Sequence, residues 1–154
     1  SAGTGILHSE RNDHAETAGE PVHFVAMWVL PDETGADPGY QQRDITGEPT
    51  DGRLVALASG DPAHDSAIRI GNAGATLWVA RLAPGEQITV PAARFSHLFV
   101  ARGTVEALGQ QLFTGDTVRA GDLGGEPVRA VAPGENEPTA EILLWTMNTG
   151  LSPA

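Results

Sequence analysis

From Arg53 onward, glycine and proline break the chain about every ten residues, and no helical period persists between the breaks. Nothing long enough for a packed helix is left over. The segments between breaks are 54–59, 67–70, 75–82, 87–90, 97–102, 104–107, 117–120, 128–131 and 141–147, and each reads as a strand. In 75–82 the side chains of Leu77, Val79 and Arg81 share one face, and those of Trp78, Ala80 and Leu82 share the other. A strand apolar on both faces suits a wall between an interior and a second layer. The run from Phe95 to Val105 has the same character, with a bend expected at Gly103 so that the chain can reverse. The pattern implies an all-β sandwich or barrel.

The region before Arg53 is less regular. Ser1–Gly5 is small and flexible in composition, and 11–20 reads as a polar loop. Val22–Leu30, stopped by Pro31, reads as a strand, and its two apolar faces predict cover on both sides. Residues 32–51 read as irregular. With 154 residues there is room for one domain of ordinary size, not for two barrels.

The charge narrows the functional classes. The net charge is −11, with nine arginines and no lysine, and the arginines are scattered. Direct nucleic-acid binding needs a basic stripe, and attraction to anionic membranes needs a basic face; neither is expected here. With no cysteine there is no disulfide, thiolate nucleophile or thiolate-held metal. The longest apolar run is too short to span a bilayer, and no signal-peptide pattern opens the chain. A cytoplasmic location is the expectation.

Two stretches carry a family resemblance. One is Ser1-Ala-Gly-Thr-Gly-Ile-Leu-His-Ser-Glu10, and the other is Met27-Trp-Val-Leu-Pro31 followed by Pro38-Gly-Tyr-Gln-Gln-Arg43. Together they resemble pirin-like proteins, which consist of two tandem cupin barrels. Leu77–Gly85, Phe99–Gly103 and Leu112–Asp116 resemble the opening strand, the central hairpin and the following strand of that family's second barrel. The resemblance implies a single cupin-type jelly-roll β-barrel over 51–149. Residues 1–50 would be the end of the first barrel plus a linker, and 150–154 a tail.

The family's first barrel holds one metal, usually iron, through an HxH pair and a later H-x-E pair. His8 and Glu10 match the later pair, and no HxH occurs in the chain. Residues i and i+2 of an extended segment point the same way, so the two can converge on one ion. Imidazole plus carboxylate suits a non-haem iron centre, but such a centre needs roughly three protein donors. The resemblance therefore implies iron or another divalent transition metal in the complete protein, with none bound by this chain alone. The implied activity is quercetin 2,3-dioxygenation of a flavonoid-like substrate, with Glu10 also a candidate base. The competing class is a non-catalytic regulatory or protein-binding module, and a third is a small-molecule binder using the barrel mouth.

The general cupin spacing G-x5-H-x-H-x3-E, counted from Gly85, falls on Pro91, Ala93 and His97. The second motif, counted from Gly115, puts Glu126 in the histidine position. The second barrel is thus expected to be metal-free. His97 is read as a hydrogen-bonded strand histidine and His64 as an exposed loop residue. His14 and His23 have no carboxylate at a spacing that points to chemistry. Trp28, Trp78 and Trp145 are expected to fill cores or interfaces. An orphaned strand at 22–30 is expected to pack on the barrel's own sheet or across a homodimer.

Overall fold

The computed structural model describes residues 1–12, 19–46, 52–131 and 139–149. His14, the turn at Pro133-Gly134 and the tail 150–154 lie outside the described residues. Ten strands form: β1 (Val55–Ser59), β2 (Ile68–Arg69), β3 (Ala75–Leu82), β4 (Gln87–Thr89), β5 (Phe95–Arg102), β6 (Thr104–Ala107), β7 (Gln110–Phe113), β8 (Thr117–Gly121), β9 (Pro127–Ala130) and β10 (Ala140–Met147). They make a six-stranded sheet, β2-β1-β3-β10-β5-β8, and a four-stranded sheet, β4-β9-β6-β7. β1 and β2 run parallel, and the other pairs are antiparallel. This is an all-β jelly roll of the cupin type whose two sheets are not closed into one hydrogen-bonded cylinder.

The core lies between the sheets. Leu82, Val100, Val105, Ile142 and Leu144 are fully buried there, with Trp78 packed against them. These come from alternate positions, as the pleat requires. The other face of the large sheet is also apolar. Leu77, Leu143 and Trp145 point away from the core and line a groove with Phe24, Val25 and Met27. The two-faced phasing read in 75–82 is therefore borne out.

Two expectations for residues 22–30 are corrected. Residues 22–30 form no strand: the segment runs extended over the outer face of the large sheet without joining a ladder. It is tied by side chains instead. Trp145 Nε1–H donates to Met27 Sδ at 3.0 Å, and Asn72 Nδ2 donates to the Leu30 carbonyl at 2.8 Å. The segment is not covered on both sides, because Phe24 stays 58% and Trp28 90% exposed. Within this chain Trp28 fills no core, which leaves the interface alternative for it, whereas Trp145 is buried and Trp78 packs on the core.

At Gly103 the chain does not double back on β5. It turns a corner, since β5 belongs to the large sheet and β6 to the small one. Gly103 has φ +78°, and a Cβ there would lie 2.8 Å from Ala140 Cα, so the corner needs glycine. The strand at β7 also went unread. It pairs with β6 through Leu108-Gly109, whose φ values of 52° and 70° are both positive, as a type I′ hairpin demands.

Leucine is a poor residue at the first of these positions, and its side chain is 47% exposed. Asparagine tolerates the left-handed region far better. Leu108→Asn is expected to stabilise the fold by about 1 kcal/mol, raising Tm by roughly 4–8 °C. Calorimetry checks this, and an unchanged or lower Tm would show that the leucine side chain matters more than the turn.

Candidate functional site

His8 and Glu10 lie on an extended segment and face each other, with Nε2 of His8 3.1 Å from Oε1 of Glu10. Their side chains are 57% and 55% exposed. The chain before them is anchored. The Ser1 amino group donates to the Gly39 carbonyl at 2.7 Å, and Gly39 N–H returns a bond to the Ser1 carbonyl at 3.0 Å. Gly3, with φ +51°, lies so close to this loop that a Cβ would sit 2.2 Å from the Ala36 oxygen. Both the motif 1–10 and the segment 36–39 are thus held together by backbone contacts that only glycine permits.

The two donors are of the right type for a transition metal, but their number is too small. Among the described residues no three His, Asp or Glu side chains gather in a way that could hold an ion. The pair fits half of a metal site, not a whole one, and no reaction step follows from it in this chain alone.

The histidines elsewhere are engaged locally. His97 sits on β5 facing outward, in register with Trp145 of β10 on one side and Arg119 of β8 on the other. Its Nε2 is 3.0 Å from Thr117 Oγ1, which bears out the hydrogen-bonded reading. His64 is not fully exposed: it packs edge-on against Trp78, with ring centroids 4.8 Å apart. The Nδ1 atom of His23 accepts from Arg102 at 3.4 Å. Glu126 Oε1 accepts the Leu108 N–H at 2.8 Å and so braces the β6–β7 turn.

The sequence missed the row Trp145–His97–Arg119 across the outer face. Each residue was visible singly, but their adjacency depends on the pairing of β10 with β5, which spans more than forty residues of chain.

The chain is 48% identical over 153 residues to the "Putative quercetin 2,3-dioxygenase" of Mycobacterium tuberculosis strain H37Rv, a match spanning 98% of this chain and 59% of that protein. It is 30% identical over 149 residues to the quercetin 2,3-dioxygenase of Escherichia coli K12, spanning 96% of this chain and 58% of that protein. The crystal structure of the bacterial pirin YhhW from Escherichia coli in complex with nickel(II) superposes with a TM-score of 0.65 at 24% identity, covering 80% of this chain and 49% of that one. The chain belongs to the pirin-like cupin family. It spans somewhat over half the length of the curated relatives it matches. No protein-family model matches it. Among the described residues of this pirin-like chain no helix is long and apolar enough to cross a membrane.

His97 generates a pH prediction. Burial disfavours its imidazolium, and the Arg119 charge adds to this, so it titrates below 6.5. The unfolded chain therefore binds this proton at higher pH than the folded chain does. The stability contributed by neutral His97 is complete above about pH 6.5 and is lost as pH falls through its lowered folded value. His97→Gln removes that component. Urea midpoints measured from about pH 7 to pH 5 are expected to fall less steeply for the variant than for the parent, and parallel curves would refute the assignment.

Proposed function

We propose that this chain is the C-terminal cupin barrel, with the adjoining end of a first barrel over residues 1–50, of a metal-dependent quercetin 2,3-dioxygenase. His8 and Glu10 supply two of its metal donors. The observation that carries this reading is the His8–Glu10 pair, whose side chains meet at 3.1 Å, in a chain matching 59% of a relative of that name. The remaining donors come from the part of the relatives that this chain does not span. A divalent transition metal, iron by the family resemblance, supplies Lewis-acid binding of a flavonol's neighbouring oxygens.

This chain's own groups do the rest. Glu10 holds His8 in place through their contact, and its second carboxylate oxygen is the group that can take the flavonol hydroxyl proton. The family motif Pro38–Arg43 braces the barrel: Gln41 Oε1 accepts the Arg69 N–H at 2.6 Å, at the edge strand β2. By itself the chain is inactive, since an exposed two-donor pair neither grips an ion nor excludes water.

A second reading, a non-catalytic regulatory or protein-binding module, is supported by the net charge of −11 and by local hydrogen bonding of both His97 and Glu126.

Metal analysis and quercetin turnover separate the two. The chain alone is expected to retain no stoichiometric iron or nickel and to leave quercetin intact. Joined behind the unmatched part of the Mycobacterium tuberculosis relative, it is expected to bind metal and turn over quercetin. His8→Ala or Glu10→Ala in the joined protein is expected to weaken metal retention by at least about tenfold. Full metal occupancy in the chain alone would refute the split site, and undiminished metal in the His8→Ala joined protein would refute the ligand assignment.

A further inference from the structure

The turn between β2 and β3 holds the 30–32 segment with three hydrogen bonds. Asn72 Nδ2 donates to the Leu30 carbonyl at 2.8 Å, Asp32 N–H donates to the Gly71 carbonyl at 2.7 Å, and Ala73 N–H donates to Asp32 Oδ2 at 2.7 Å. A fourth bond, from Arg69 N–H to Gln41 Oε1 at 2.6 Å, holds the far end of the same loop. The turn is itself fixed. Gly74 N–H donates to Asn72 Oδ1 at 3.1 Å, so one orientation of the Asn72 amide serves both of its partners. A Cβ at Gly60 would lie 1.9 Å from the Asn72 carbonyl oxygen, so the turn sits directly on the backbone that follows β1.

These ties lead back to the His8–Glu10 pair. Residues 36–39, between Asp32 and Gln41, hold the start of the chain: Ser1 and Gly39 exchange two backbone bonds, and Gly3 lies against Ala36. Gly5 N–H then closes a tight turn on the Ala2 carbonyl at 2.7 Å. His8 follows Gly3 by five positions, so it stays within roughly 17 Å of that anchor. The side chains of the pair are more than half exposed, so packing does little to place them.

We propose that the 69–73 turn of the second barrel positions the His8–Glu10 pair, through the 30–41 loop, for the metal that the pair is read to hold. Asn72 and Asp32 are positioning residues in this relay: they act through the backbone, not as ligands. The inference rests on the donor reading of His8 and Glu10. Directed hydrogen bonds remove conformational freedom that metal binding would otherwise have to remove, so a pre-placed pair binds more tightly than a free one. The second barrel thereby contributes to a centre to which it gives no donor.

Amide hydrogen exchange in the chain itself tests the first half of the relay. Asn72→Asp removes the donor to Leu30 and keeps the acceptor for Gly74 N–H, while Asp32→Ala removes the acceptor for Ala73 N–H. In both variants the Gly5 and Gly39 amides are expected to exchange at least about threefold faster, with the Leu144 amide of β10 near the parent's rate. The second half is read as the nickel(II) affinity of the joined protein. Asp32→Ala is expected to weaken it at least about threefold, and Asp32→Asn, whose amide oxygen still accepts the Ala73 N–H, to stay within about twofold of the parent. Unmoved Gly5 and Gly39 exchange, or unmoved nickel affinity in Asp32→Ala, would overturn the proposal. An equal loss in Asp32→Asn would assign the effect to the missing charge and overturn it too. A joined parent that takes up no nickel would sink the donor reading and this role with it, whereas indifferent variants of a nickel-loaded parent sink this inference alone.

Discussion

β10 is the last strand made and the one on which the large sheet hangs. It lies between β3 and β5, and without it the β2-β1-β3 half of the sheet has no ladder to the β5-β8 half. Its pairings join residues far apart in sequence: Arg81 Nε donates to Glu141 Oε2 at 2.7 Å across 60 positions, and Trp78 Nε1 donates to Thr146 Oγ1 at 2.9 Å across 68. Such contacts reward the chain only after long loops have been closed. Because the Arg81–Glu141 pair is part-exposed, its own contribution is small, and the stability comes from what β10 buries. Ile142 and Leu144 go into the core, while Leu143 and Trp145 go to the outer face. One strand therefore obliges the molecule to have two apolar layers.

That obligation explains the 22–30 segment. The outer face of the large sheet cannot be left to water, and among the described residues no second sheet covers it. The segment covers part of it as an unpaired ribbon, with Met27 reaching Trp145. Methionine suits this place, since a flexible thioether fits an irregular gap and accepts an indole N–H. A ribbon has two sides, however, and only one meets the sheet. Phe24 and Trp28 remain exposed in this chain as a result.

The same distinction separates what the sequence disclosed from what it hid. Turn punctuation located nine of the strands because glycine and proline act locally. β7 escaped because Gln110-Gln111-Leu112-Phe113 lacks clear alternation and its turn begins with Leu108, a residue with no turn preference. Val22–Leu30 has strand composition, but a strand exists only where an edge accepts it, and composition does not reveal edges. His8 and Glu10 were legible as a pair from spacing alone. The Trp145–His97–Arg119 row was not, because register between distant strands is set by the whole fold.

Residue identity and side-chain direction also separate this barrel from the positions where cupins commonly place their donors. Pro91 and Ala93 stand where the HxH pair would be, and Ala93 is buried. The chain before β9 packs against their neighbours. Gly125 N–H donates to the Val90 carbonyl at 3.0 Å, Val90 N–H donates to the Glu126 carbonyl at 2.9 Å, and a Cβ at Gly124 would lie 2.8 Å from Ala92 Cα. The 124–126 backbone thus packs against residues 90 and 92. His97, at the third position of the motif, faces the opposite side of the sheet from Leu98 and Val100, which lie in the core. Restoring histidine at 91 and 93 would therefore not recreate the three-donor set, because the third donor points out of the barrel.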